Sequence, residues 1–127
     1  MRITALVLVG LIAASHVLIG YCEMFAWENR GPQVFSSFAD DSFSDTATLT
    51  LAANQGLYNL FLAAGLVWSL LIADRKWQAD IATFFLLCVG VAGAFGAVTA
   101  SFSILYVQTV PSVLALVLLH MPPRSET

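Results

Sequence analysis

Four long apolar runs occupy most of this 127-residue chain, and they limit its fold more than any other feature of the sequence. The runs cover residues 3–27, 49–73, 81–100 and 102–120. Each is close to the ~20 residues with which a helix crosses about 30 Å of hydrocarbon. Helices are expected because a backbone group left unpaired in lipid costs several kcal/mol. The runs therefore predict an all-α membrane protein, a single domain over residues 1–127 built as a bundle of four transmembrane helices.

The composition excludes the main soluble alternatives. Hydrophobic residues make up 59% of the chain and charged residues 10%, whereas a soluble domain has about 45–50% and about 25%. A chain this short cannot bury so much apolar surface in one water-soluble core, and disorder requires low hydrophobicity. The formal net charge is −3 and no basic stripe is present, so the expected partner is the lipid bilayer and not nucleic acid.

Basic residues indicate the orientation in the membrane. If the N-terminus is cytoplasmic, the inner side carries four of the five basic residues, namely Arg2, Arg75, Lys76 and Arg124. Only Arg30 lies on the outer side, in the loop of residues 28–48. The positive-inside rule then predicts that both termini face the cytoplasm. The expected location is a bacterial inner membrane, as a multi-pass protein whose long loop faces the periplasm.

The first run also has features of a cleavable signal peptide. Arg2 precedes an apolar stretch, and Ala13, Ala14 and Ser15 resemble a cleavage site. The apolar run continues well past Ser15, to Trp27. We therefore favour an uncleaved first span, with cleavage as the alternative.

Polar residues of the four spans are predicted to gather at one depth. With the N-terminus inside, Glu23 lies about one turn below the outer surface and His16 two turns deeper on the same face. The other polar residues fall in the outer half, while the inner half is mostly aliphatic and small. Polar side chains facing lipid are costly, so we expect them to point into the bundle. The predicted outer pocket consists of His16, Glu23, Asn54, Gln55, Asn59, Thr99 and Gln108.

Helix packing is the alternative explanation for each of these residues. Amide and hydroxyl side chains in membrane helices often bond to a neighbouring helix, at about 0.6 kcal/mol each, and Glu23 can be solvated at the interface. His16 and Glu23 are separated by about 10 Å along the helix axis, which is too far for both to bind one ion. We predict no metal site, and no cofactor is indicated.

Small residues in the third run predict a close helix contact. Gly90, Gly93 and Gly96 recur at a spacing of three, and small residues let helix backbones approach in lipid. This face can pack within one bundle or form an oligomer. In the fourth run, Pro111 removes a backbone hydrogen bond and predicts a kink just below Gln108.

Four strings resemble the small four-helix integral membrane proteins of domain-of-unknown-function family 1304. They are HVLIGYCEMFAWE (16–28), NQGLYNLFLAAGLVW (54–68), FFLLCVGVAGAFGAVT (84–99) and VQTVPSVLAL (107–116). The resemblance extends nearly end to end and is weakest in the outer loop. It implies a four-helix fold and a membrane location, without an activity, substrate or cofactor. The polar positions typical of the family fall on the seven residues of the predicted pocket.

Three functional hypotheses remain open from the sequence. The first is binding or transport of a small molecule in the outer pocket, with Glu23 as an acceptor. An accessory or structural subunit of a membrane complex is the second, motivated by the glycine-rich third helix. A membrane enzyme is disfavoured, because no paired nucleophile or metal set accompanies His16 and Glu23. A proton-coupled exporter of the small four-helix type is a special case of the first hypothesis.

Overall fold

A computed structural model describes residues 2–35 and 40–122, and all regular secondary structure in these two ranges is helical. Five α-helices follow one another: α1 (Arg2–Phe25), α2 (Trp27–Val34), α3 (Thr46–Leu71), α4 (Arg75–Thr99) and α5 (Val110–His120). A 3-10 turn, Asp40–Phe43, precedes α3, and a π-helical turn, Leu105–Thr109, precedes α5. The all-α prediction is therefore confirmed over the described ranges. Arg124, one of the residues used to predict orientation, lies outside them.

Within the described ranges, two helices are long and apolar enough to cross a membrane. These are the segments Ile3–Phe25 and Arg75–Thr99, and Leu105–His120 is a shorter apolar helical segment. The helix α3 is longer than either, at 26 residues. Its apolar sequence is interrupted by Asn54, Gln55 and Asn59.

Contacts between the long helices give an up-and-down order. A Cβ atom placed on Gly10 would contact Leu70, and one on Gly20 would contact the Gly56 carbonyl, so α1 and α3 are antiparallel. The α4–α5 pair is also antiparallel, since Thr83 hydrogen-bonds to His120. The start of α1, the end of α3, the start of α4 and the end of α5 consequently share one end of the bundle.

Aspartates begin α3 and α4 ahead of the apolar runs. The Asp45 carboxylate accepts from the backbone N–H of Thr48 at 3.1 Å, and that of Asp74 accepts from the N–H of Trp77 at 2.9 Å. Each side chain satisfies one of the free N–H groups of a first helical turn. For this reason α3 and α4 start several residues before positions 49 and 81, where the apolar runs begin.

The segment predicted as a long loop contains a short helix with an aromatic cluster. The Trp27 ring lies 5.4 Å from the Phe35 ring and 5.6 Å from the Phe43 ring, centroid to centroid. Gly31 of α2 is buried directly against the Phe43 ring. A side chain at this position would displace the ring, so the glycine allows the 3-10 turn to pack on α2. We call Trp27, Gly31, Phe35 and Phe43 the α2 cluster.

An apolar core joins the other half of the bundle. Ala5 and Val9 of α1, Leu66 of α3, Leu86 of α4 and Ala115 of α5 have no exposed surface. The buried Ser69 hydroxyl donates to the carbonyl of Leu66 at 2.6 Å, so it needs no partner from another helix. All four long segments therefore meet through small and aliphatic side chains at the end of the bundle away from the α2 cluster.

The glycine row of α4 packs against the last helical segment of the same chain. Gly90 faces Ser112, Gly93 faces Thr109 and Gly96 faces Ile104. The Thr109 hydroxyl also donates to the carbonyl of Gly90 at 3.1 Å. Of the two predicted roles for this row, the structure shows packing within one chain. An oligomer through the same face would require this segment to move away.

The segment before Pro111, where a kink is predicted, forms a π-helical turn. The backbone N–H of Val110 bonds to the carbonyl of Leu105, five residues earlier. Pro111 has no N–H to donate, so the ordinary α-helical pattern is broken at this point in any case. The turn sets Thr109 against the glycine row. A π-helical turn of this kind is one way in which a helix changes direction.

Candidate functional site

Glycines bring α1 and α3 together near the α2 cluster. A Cβ atom on Gly20 would lie 2.9 Å from the carbonyl oxygen of Gly56, and one on Gly56 would lie 2.8 Å from that of Gly20. Real Cβ atoms do not approach so closely, so both positions need glycine. Backbones in such contact place the neighbouring side chains within reach of each other. One helical turn away along each helix are Glu23 and Asn59.

Glu23 and Asn59 form a hydrogen bond between the two helices. The Nδ2 atom of Asn59 donates to Oε2 of Glu23 at 2.7 Å and lies 3.3 Å from the backbone oxygen of Gln55, to which it also donates. Asn59 is only 4% exposed and Glu23 is half-buried. Burying either group without a partner would be unfavourable, so the bond explains how two polar groups sit at a helix interface.

A cleft of about 260 Å³ opens beside this pair. It lies where α1 ends and α2 begins, with the first turn of α3 as its third wall. The lining residues are Glu23, Met24, Phe25, Ala26, Trp27, Glu28, Asn29 and Leu49. Glu23 therefore belongs both to the helix contact and to the cleft wall.

Most of the cleft wall was missed by sequence reasoning. The prediction named Glu23, but not Trp27, Glu28, Asn29 or Leu49. The prediction rested on the depth of polar residues along the four apolar runs. The short helix α2 follows the first run, so this count gave no information on it. The only available signal was the sequence Trp27-Glu28-Asn29 directly after the apolar run, where an aromatic residue and polar groups mark a membrane interface.

His16 lies away from the cleft, in the buried part of the α1 surface. It is fully buried, and its Nδ1 atom bonds to the carbonyl oxygen of Ile12 at 2.8 Å. Within the described ranges its Nε2 atom has no partner. His16 is not among the residues that line the cleft. Among residues 2–35 and 40–122, no group of three His, Cys, Asp or Glu side chains could hold a metal ion.

The other predicted pocket residues separate in the structure. Asn54 and Gln55 have exposed side chains on α3. Thr99 is exposed and its hydroxyl donates to the carbonyl of Phe95, in its own helix, at 2.8 Å. Gln108 is half-buried and packs near Gly93. Of the seven predicted residues, the structure joins Glu23 to Asn59 by their side chains, and the Gln55 backbone takes part.

Comparison with known proteins decides the family of the chain. Residues 10–120 match the family described as "Protein of unknown function (DUF1304)", which is most of the chain. The chain belongs to the DUF1304 family. The match includes Glu23, Asn59 and all the residues that line the cleft.

A curated relative of this DUF1304 chain supports the assignment. The chain is 25% identical over 117 residues to the "Uncharacterized protein YpaA" of Lactococcus lactis subsp. lactis (strain IL1403). The aligned region covers 92% of this chain and 97% of the relative. No solved structure matches. Membership of DUF1304 gives no activity, so the function must be inferred from the site.

Proposed function

We propose that this chain is an integral membrane protein with four transmembrane helices and both termini in the cytoplasm. Two helices have the length and composition of a span. The 26-residue α3 is ~39 Å long at a rise of ~1.5 Å per residue, which exceeds the ~30 Å of hydrocarbon. The fourth span would combine the π-helical turn with α5. The up-and-down order of the helices supports this arrangement.

Charge at the two ends of the bundle supports the orientation. Arg2 begins α1, and Arg75 and Lys76 begin α4, so all three lie at the end that we assign to the cytoplasm. At the other end, Arg30 is the basic residue of α2. Basic residues flanking spans favour the cytoplasmic side. The cleft beside Glu23 would then open toward the periplasm.

Binding of a small molecule in the outer cleft is the function that this geometry favours, and transport of that molecule would extend it. The observation that carries the proposal is that Glu23, which lines the cleft, accepts a hydrogen bond from Asn59 of the neighbouring helix. Ligand sites commonly combine apolar walls with a few fixed polar groups. The bond to Asn59 fixes the Glu23 carboxyl, and Phe25 and Leu49 supply apolar surface.

The two alternative functions have less support. The glycine row that motivated an accessory subunit packs on the chain's own last segment. His16, which an enzyme would use as an acid or base, does not line the cleft with Glu23. The proposal therefore keeps a binding role and gives the remaining predicted residues, Asn54, Thr99 and Gln108, packing or surface roles.

Ligand-dependent thermal stabilisation tests the proposal. The purified protein would be screened in mild detergent against a panel of small amines, amides, phenols and carboxylic acids. We expect at least one compound to raise the melting temperature of the wild-type protein. Because Glu23 lines the cleft and Asn59 holds its carboxyl group in place, the rise should be lost in Glu23→Gln and Asn59→Ala.

Thr99→Ala is the matched control, because Thr99 is exposed and bonds within its own helix. It should retain the full ligand response. The proposal is wrong if every stabilising compound raises the melting temperature of Glu23→Gln and Asn59→Ala as much as that of the wild type. A panel without any stabilising compound would also count against it.

A further inference from the structure

The cleft beside Glu23 has an asymmetric charge. Among the described residues 2–35 and 40–122, its wall includes two carboxyl side chains, Glu23 and Glu28, and no Lys, Arg or His. The nearest basic residue in sequence, Arg30, is outside the wall and hydrogen-bonds to Gln33 of α2 at 3.4 Å. A cation entering the cleft would therefore meet acidic groups without a competing basic side chain.

Aromatic and apolar side chains complete the wall. Trp27 and Phe25 both line the cleft, together with Met24 and Leu49. Aromatic faces attract ammonium groups through the ring quadrupole, most strongly for tryptophan. The thioether and the leucine side chain offer contact to an apolar body. A ligand that uses the whole wall needs both a positive charge and an apolar part.

We propose that the cleft binds a small organic cation with an apolar body, such as an aryl-alkyl ammonium compound. The inference rests on the proposed binding function and specifies its ligand class. Glu23, held by Asn59, and the exposed Glu28 supply the negative charge. The ring of Trp27 and the neighbouring apolar side chains receive the rest of the ligand. At about 260 Å³, the cleft suits a compound with one aromatic ring better than a larger one.

Three probes of similar shape separate charge from apolar contact. Benzyltrimethylammonium is the cation, neopentylbenzene is its neutral isostere with carbon in place of nitrogen, and phenylmethanesulfonate is an anion. Their binding to the purified full chain in detergent would be measured by isothermal titration calorimetry, with empty micelles as the blank. We expect saturable binding of the cation only.

Charge variants identify the site of binding. Glu28→Gln should raise the Kd of the cation about fivefold, the size of one solvent-exposed ion pair of ~1 kcal/mol. Glu23→Gln should raise it at least as much, since Glu23 is more buried. Glu28 is exposed, so its variant should fold normally. Asp41→Asn removes a charge outside the cleft and should leave the Kd unchanged.

The outcomes separate this inference from the proposed function. If the anion or the neutral isostere binds as tightly as the cation, or both Glu variants leave the cation's Kd unchanged, the inference is wrong. Absence of saturable cation binding also overturns it. If Asn59→Ala abolishes binding of the neutral or anionic probe, the cleft is a binding site for another ligand class, and the proposed function stands without this inference.

Discussion

Replacing Asn59 with alanine removes the donor of the side-chain hydrogen bond that joins α1 to α3. The donor–acceptor distance of 2.7 Å is at the short end for an N–H···O bond. Because Asn59 is 4% exposed, water cannot easily replace the lost partner. Glu23 would remain half-buried without its donor. We therefore expect Asn59→Ala to destabilise the protein by more than the loss of contact area alone.

A double-mutant cycle isolates the energy of this bond. The variants are Asn59→Ala, Glu23→Ala and the double variant, with the free energy of unfolding measured by reversible denaturation in mixed detergent–SDS micelles. Side-chain bonds between membrane helices give coupling energies of about 0.6 kcal/mol on average, with values up to about 1.7. This range corresponds to roughly a 3- to 18-fold change in the folding equilibrium constant. The short distance and low exposure place our expectation in the upper half of it.

A second cycle with Asn54 provides the control. Asn54 is exposed on α3, so Asn54→Ala and Glu23→Ala should be additive within about 0.3–0.5 kcal/mol. A coupling energy above this limit in the Asn59 cycle would show that Glu23 and Asn59 interact. Additive effects of Asn59→Ala and Glu23→Ala would refute the contact, and with it the link between the cleft wall and the helix interface.

Variants at three further positions test how α3 is held. The Phe85 ring lies directly on Gly65, so Gly65→Leu should destabilise the protein by about 1–3 kcal/mol through overpacking. Gly10→Ala should be neutral or stabilising, because its new methyl group would make an ordinary contact at 3.7 Å. Equal losses of stability in Gly65→Leu and Gly10→Ala would contradict the close approach of the Phe85 ring to Gly65. Asp45→Ala should cost about 1 kcal/mol in the same unfolding assay because it removes the N-cap of α3. Asp45→Ser, which can still accept from the Thr48 N–H, should recover most of that loss.

The four apolar runs predicted the main helices because hydropathy reports directly on long apolar segments. Their starts were less well predicted. Asp45 and Asp74 begin α3 and α4 through side-chain caps, and polar first turns such as Arg75 and Lys76 lower the local hydropathy. A capping signal extends a helix beyond its apolar run, so hydropathy alone places the start too late.

The short helix α2 could not be predicted from its sequence. Its eight residues include Gly31 and Pro32, which ordinarily indicate a turn or a loop. Gly31 is buried against Phe43, twelve positions along the chain. The contact between Gly31 and Phe43 therefore overrides the local propensity of this segment for a turn or loop. The sequence of the segment alone does not reveal that contact.

Only part of the candidate site was predicted. The position of a side chain in a helix bundle depends on its depth along the helix and on its direction around the helix axis, and the sequence indicated only the depth. Counting residues along each span placed Glu23 and Asn59 at one height, and the structure joins them. The same count placed Thr99 and Asn54 near that height, but their side chains point away from the interface. The direction of a side chain around the helix axis depends on which helix faces pack together. The helices of this chain are weakly amphipathic, so their sequences do not show which face is buried.

Thiol accessibility in intact cells tests the central claim most directly, namely that the cleft opens on the outer side of a four-span bundle. Both native cysteines, Cys22 and Cys88, are free and would first be replaced by serine. Single cysteines would then be introduced by Glu28→Cys in the cleft wall and Lys76→Cys at the opposite end of the bundle. Both positions are exposed in the structure.

A membrane-impermeant maleimide would be added to spheroplasts of the expressing cells, before and after permeabilisation. We expect Glu28→Cys to react in intact spheroplasts and Lys76→Cys to react only after permeabilisation. Permeabilised cells confirm that both thiols are reactive. Reaction of Lys76→Cys in intact spheroplasts, or protection of Glu28→Cys until permeabilisation, would contradict the orientation and the outward-facing cleft.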